Sequence, residues 1–127
     1  MATTRRPGTK AVDWPKRGEI YLAALDPAVG HEIQKTRPVL IIQNDISNQH
    51  SRVTLVAPIT STVRLPLSPL HVLLPADSST GLSVPSVAVF NQIRALDHIR
   101  LIRKLGEATA LAVLQVDQAI LTAFGLE

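Results

Sequence analysis

Short apolar runs rich in Val, Ile and Leu recur between residues 18 and 93, each closed by proline, glycine or small polar residues. Glu19 to Leu25 is half apolar and leads into Asp26-Pro27, a turn signal. Pro38 to Gln43 is a continuous run of the kind that is buried on both faces of a sheet. Val53 to Ile59 is a second such run, and Leu70 to Leu74 and Ser86 to Ile93 follow at similar spacing. Short strands with turns between them, and little helix, predict a mainly β chain folded as a small antiparallel barrel rather than a βαβ sheet.

The C-terminal segment has a different character. Glu107 to Phe124 contains neither Gly nor Pro and is followed by Gly125, the residue best suited to end a helix. A C-terminal helix is expected there, with Leu111, Leu114, Ile120, Leu121 and Phe124 on a broad apolar face packed against the barrel. Gln115, Asp117 and Gln118 are expected on its wet side, and part of the wide face is available for a dimer contact.

The chain has 127 residues, enough for one core. Aromatics make up 3% of the residues against 46% hydrophobic overall, so that core must be aliphatic. Residues 1–15 carry Arg5, Arg6, Pro7, Gly8, Lys10 and Pro15 without periodicity and read as a flexible basic arm, with Trp14 pinning its end. Residues 16–127 form the single domain, with the barrel at about 16–105 and the helix at about 107–124. There is no signal-peptide pattern and no run long enough to span a bilayer, which points to a soluble cytoplasmic protein with no membrane partner. With no cysteine there can be no disulfide, thiolate metal site or cysteine nucleophile. The net charge of +3 tilts slightly towards nucleic acid.

Three stretches carry candidate chemistry. Gly30-His31-Glu32-Ile33-Gln34-Lys35-Thr36-Arg37-Pro38 gathers an imidazole, a carboxylate and two cations in a loop between strands, with Arg37 at the strand's start. Pro58-Ile59-Thr60-Ser61-Thr62 ends a strand in hydroxyls, which suit donation to a phosphate oxygen and equally suit local backbone bonds. Asn91-Gln92-Ile93-Arg94 offers amides able to read base edges, and Arg94 is also spaced to pair with Asp97. His31, His50, His71 and His98 are scattered, so no metal site is expected; glycine-rich phosphate loops and serine-hydrolase elbows are missing too.

Taken together these residues resemble a known family. Lys16-Arg17-Gly18-Glu19-Ile20-Tyr21, Leu25-Asp26-Pro27, Val29-Gly30-His31-Glu32 and Lys35-Thr36-Arg37-Pro38 are similar to the opening of MazF/PemK-type toxins. Val56-Ala57-Pro58-Ile59-Thr60-Ser61, Thr80-Gly81-Leu82, Asn91-Gln92-Ile93-Arg94 and Arg103-Lys104-Leu105-Gly106 continue the match in order, over about residues 16 to 125. The resemblance implies the SH3-like barrel plus helix of MazF, PemK and CcdB-like toxins. It also implies a homodimer that needs no cofactor, cuts single-stranded RNA at a short preferred sequence, and is restrained by a cognate antitoxin protein.

The same resemblance implies Arg37, Thr60 and Glu32 as catalytic residues. It further implies RNA contacts from His31, Gln34, Lys35, Pro58, Ser61, Asn91 and Gln92. Metal-free cleavage requires the 2′-hydroxyl to attack the adjacent phosphate, which gathers negative charge on the non-bridging oxygens. Arg37 would meet that charge and Thr60 would donate to it. Arginine is too basic to accept the proton at neutral pH, so the base is Glu32 or His31. This chain departs from the family at His31, where members often carry Ser, and at Ile33, where many carry Gln. Two other readings share the fold: a gyrase-poisoning toxin, and a non-catalytic SH3-like module that binds RNA or protein.

Overall fold

The computed structural model describes residues 14–25, 30–32 and 35–127. The basic arm lies outside the described residues up to position 13; Trp14 is half-buried and Pro15 buried. The described strands are β1 (Glu19–Ala24), β2 (Thr36–Ile41), β3 (Val53–Thr60), β4 (His71–Leu74), β5 (Ser86–Val89), β6 (Arg94–Asp97) and β7 (Leu101–Glu107). Two helices, α1 (Asp45–His50) and α2 (Ala110–Phe124), and a 3₁₀ turn at His98–Arg100 complete the described elements. Among the described residues, no helix is long and apolar enough to cross a membrane.

The run from Pro38 to Gln43 serves two cores at once, as its composition predicts. Val39 and Ile41 pack with Ala23, Leu25, Val56, Leu96 and Leu101 on one face. Leu40 and Ile42 pack with Ile20, Ala57, Ile59, Val72, Leu74, Ala88 and Phe90 on the other, beneath α2. That alternation is the period of two expected of a strand covered on both sides.

Every strand pair is antiparallel, in the order β4-β5-β3-β2-β1-β7, with β6 also on β3. The mainly β antiparallel fold with a C-terminal helix is as expected, and the barrel is a loose one: β4 and β7 end the order, and among the described residues the ladder does not close. A backbone contact bridges the gap instead. The Glu107 N–H donates to the Ser79 carbonyl at 2.8 Å. A Cβ on Gly106 would collide with the Ser79 and Thr80 carbonyls, and one on Gly81 (φ +71°) with that of Leu105. The turn is shaped from within, since Asp77 Oδ1 accepts from the Ser79 N–H (2.9 Å), the Ser79 hydroxyl (2.6 Å) and the Thr80 N–H (3.0 Å). Those bonds, led by the Ser79 hydroxyl's, hold the Asp77 carboxyl below its ordinary value.

Several element boundaries also differ from expectation. The run from Ser86 to Ile93 divides at Phe90-Asn91 into β5 and a turn leading to β6. Helix α2 starts at Ala110, capped by Thr109, whose hydroxyl accepts from the Ala112 N–H at 3.2 Å. Its inward face is Ala112, Val116 and Ala119, while Leu111, Leu114 and Phe124 are 69%, 66% and 61% exposed. Small residues let the helix lie close to the sheet, and these bulky ones are left on its outward side. Gln115, Asp117 and Gln118 are exposed, as expected.

Polar ties lock the small elements to the sheet. Buried Asn48 accepts from the Thr54 hydroxyl (2.6 Å) and donates to the Gln43 carbonyl (2.9 Å), docking α1 on β3. Arg17 reaches the Ile42 carbonyl (2.9 Å) and the Asp117 carboxylate (2.7 Å), joining the end of β2 to α2.

Two predictions follow from these contacts. Gly106→Ala forces backbone apart at the bridge, and a loss of ~1–3 kcal/mol is expected in denaturant unfolding. Lys104 sits between Glu19 (2.9 Å) and Glu107 (3.2 Å). Its hydrogen bond to Glu19, with the charge of both carboxylates, raises it above the ordinary 10.5 against the effect of partial burial. A raised cation stabilises the fold fully below the unfolded value and ceases to do so as pH climbs through the folded one. Lys104→Met should therefore be less stable than the parent at pH 8, by under about 1 kcal/mol because the pair is half exposed. The difference should shrink above pH ~10.5, checked by unfolding curves at both pH values.

Candidate active site

The β1–β2 loop is fastened at its base. The Leu25 N–H donates to the Lys35 carbonyl at 2.8 Å, where Lys35 takes a left-handed φ of 71°. The Leu25 carbonyl in turn accepts from Arg94 Nη1 at 3.0 Å. Arg94 therefore anchors the loop rather than pairing with Asp97, which caps the 3₁₀ turn by accepting from the Ile99 N–H at 3.0 Å. Above that base, Gly30, His31, Glu32 and Lys35 are exposed, and Gln34 lies outside the described residues.

Arg37 sits in β2 opposite Ala23, and Thr60 ends β3 opposite Val87. In the β2–β3 register Val39 faces Pro58. Arg37 lies two residues before Val39 and Thr60 two beyond Pro58, past the last β2–β3 pair, so strand alternation gives both the same sheet face. Both are half-buried. Thr60 Oγ1 accepts from the Thr62 N–H at 3.3 Å, the local strand-ending bond expected of such a hydroxyl. An accepting hydroxyl keeps its own proton for another partner.

The other candidates divide between two clefts. One, of about 390 Å³, is lined by Glu32, Pro58, Asn91, Gln92, Ile93, Arg94 and Ala95. The second, of about 360 Å³, is lined by Arg37, Pro38, Ile59, Ser61, residues 81–84, Ser86, Arg103 and Leu105. Glu32 and Arg37 thus line different clefts, with the end of β3 between them. His31, Lys35 and Thr60 are not among the described lining of either. Among the described residues, no three of His, Asp or Glu come together to hold a metal ion.

Arg103 was not a candidate on sequence grounds beyond its place in the Arg103-Lys104-Leu105-Gly106 motif. Its strand, β7, shows weak apolar alternation, and only the pairing with β1 brings it to the cleft. In the sequence Arg94 is spaced to pair with Asp97, whereas its bond to a carbonyl 69 residues away in the chain could not be read locally.

The chain and its fold are similar to those of known proteins. Residues 16–124 match the model of the PemK-like, MazF-like toxins of type II toxin–antitoxin systems. The chain is 40% identical over 105 residues to endoribonuclease EndoA of Bacillus subtilis (strain 168), covering 83% of this chain and 90% of that one. It superposes on Mycobacterium tuberculosis toxin MazF-mt6 with a TM-score of 0.72 at 31% identity, over 86% of this chain and 98% of the other. It also superposes on a mycobacterial endoribonuclease in complex with its cognate antitoxin, with a TM-score of 0.72 at 27% identity, over 89% and 97% of the two chains. The mainly antiparallel sheet, the C-terminal helix and the match along nearly the whole domain place this chain in the family of PemK-like, MazF-like toxins of type II toxin–antitoxin systems.

Proposed function

We propose that this chain is the endoribonuclease toxin of its system, cutting single-stranded RNA without a metal. The observation that supports the reading is that Arg37 and Thr60 lie on neighbouring strands, each two residues past the last β2–β3 pair, Val39 and Pro58, so that strand alternation gives them the same sheet face. A guanidinium and a hydroxyl side by side suit the two non-bridging oxygens of one phosphate.

In the proposed reaction the 2′-hydroxyl loses its proton to Glu32 or His31 and its oxygen attacks the adjacent phosphorus. The bond to the 5′-oxygen breaks, that oxygen takes up a proton, and the products are a 2′,3′-cyclic phosphate and a 5′-hydroxyl. Arg37 stabilises the charge that develops on the phosphoryl oxygens, and Thr60 donates to one of them. Pro58, Ser61, Asn91, Gln92, Lys35, His31 and Gln34 contact the strand on either side. Amides in the β5–β6 turn beside Glu32 suit the reading of base edges.

The toxin acts in the cytoplasm as a homodimer restrained by a cognate antitoxin. The exposed Leu111, Leu114 and Phe124 support the dimer, since apolar side chains on the outward side of α2 favour burial against a partner. A related mycobacterial endoribonuclease solved with its cognate antitoxin supports the second partner.

The test is incubation of the purified protein and of Arg37→Ala with a long single-stranded RNA in EDTA, with fragment ends mapped. Discrete cuts bearing cyclic phosphate are expected from the parent, and a rate lower on the order of 10²–10³-fold from Arg37→Ala. Thr60→Ser should stay close to the parent, whereas Thr60→Val should lose about tenfold or more. Equal cutting by Arg37→Ala would overturn the assignment of the catalytic residue. An absence of cutting by the folded parent would overturn the endoribonuclease reading itself.

A further inference from the structure

We infer that Arg103 holds a second phosphate of the RNA strand, adjacent to the scissile one, in the cleft that Arg103 shares with Arg37. The inference rests on the endoribonuclease reading and adds a subsite to it.

The strand pairings build this subsite. Leu22 of β1 faces Pro38 on one side and Arg103 on the other, so these three residues form a row across β2, β1 and β7 on a single sheet face. Pro38, Ile59 and Leu105 give the cleft an apolar lining, which Arg103, Ser61 and Ser83 share. Arg37 belongs by register to the opposite face, with Thr60, yet it also lines this cleft. The two faces therefore meet at the end of β2. A strand whose scissile phosphate lies at Arg37 and Thr60 carries its neighbouring phosphate over that end towards Arg103.

The charges point to an anion as the occupant. Two consecutive cations sit on β7, and their fates differ. Lys104 is neutralised by Glu19 and Glu107. The Arg103 side chain has neither a hydrogen bond nor an ion pair among the described residues. No described carboxylate lines the cleft either, so nothing there competes with an incoming anion. A guanidinium beside hydroxyls in an acid-free cleft matches phosphate oxygens in both charge and donor geometry. The apolar side chains in the same lining suit the sugar of a nucleotide rather than a free ion.

The test uses the full chain and a short single-stranded RNA containing the mapped cleavage sequence. Binding is measured across a salt series on a version with 2′-deoxyribose at the cleavage site, and kcat and KM on the unmodified strand. Arg103→Gln is expected to lower the slope of log affinity against log salt by about 0.7, the value for one single-strand phosphate contact. It should raise KM about tenfold with kcat nearly unchanged, and Arg103→Lys should keep the slope. An unchanged slope and KM in Arg103→Gln, from a parent that cuts RNA, would overturn the subsite and leave the endoribonuclease reading standing. A fall in kcat alone would also overturn it, because it would put Arg103 at the scissile phosphate. Equal losses in the Gln and Lys variants, with a lowered unfolding midpoint in both, would reduce Arg103 to a structural role. A parent that neither binds nor cuts RNA would overturn both readings.

Discussion

Burial of β2 on both faces is the constraint from which the site follows. Val39 and Ile41 belong to one core and Leu40 and Ile42 to the other. A slip of one residue would exchange the two sets and force each side chain into space shaped for a different one. The register with β1 and β3 is therefore held by several aliphatic side chains at once, each contributing on the order of 1.5–3 kcal/mol of burial. Arg37 lies two residues before Val39, in β2, and Thr60 two residues beyond Pro58, at the end of β3. Both inherit the rigidity of the strands without being part of the core. A loop alone would not set a guanidinium with that precision, because its backbone would have to be ordered at a cost of about 1–2 kcal/mol per residue.

Features with a local physical cause were legible in the sequence. Strands β1 to β4 follow from apolar runs bounded by turn residues, and α2 from a stretch without Gly or Pro that ends at Gly125. Arg37 and Thr60 were singled out by the resemblance, since position beside an apolar run suits a surface arginine or a strand-ending hydroxyl equally well. Features that depend on distant pairing were not legible. Strand β7 is mostly exposed and charged, so its hydrophobic alternation is faint, and it exists because β1 needs a partner. The run of Ser86 to Ile93 continues in composition through a turn that the backbone makes at Phe90-Asn91. Helix α1 is six residues long, too short to show a period, and is held by the Asn48 network. On α2 the hydrophobic residues were identified, but the buried face is the alanine side, since close approach to the sheet selects volume over hydrophobicity. The gap bridged by Gly81 and Gly106 joins two motifs separated in sequence, and its meaning appears only when their backbones touch.

Net charge said little because it does not distinguish cations that are committed to the fold from those that are not. Arg17 and Lys104 meet carboxylates, and Arg94 and Arg100 donate to backbone carbonyls at the root of the β1–β2 loop. Those last two bonds carry particular weight for the site. Each occupies a carbonyl just ahead of the loop, at Ala24 and Leu25, where the β1–β2 ladder is ending and backbone acceptors need new donors. Cations that would otherwise read as an RNA-binding patch thus hold the scaffold on which His31 and Glu32 stand.

The division into two clefts follows from the same strand geometry. Successive residues of a strand point to opposite faces, so Pro58 lines one cleft while Ile59 and Ser61 line the other. One cleft combines a carboxylate with amide side chains; the other combines arginines with hydroxyls and contains no described acid. Nucleotides have the same polarity, with bases that offer donors and acceptors and a backbone that offers only negative oxygens. An RNA strand crossing the end of β3 would meet base-reading groups on one side and phosphate-binding groups on the other. The alternation that builds the two cores would then also sort the substrate. On that reading, a change at Asn91 or Gln92 would alter which sequence is cut, and a change at Arg103 would weaken all sequences alike, because phosphate contacts carry no base information.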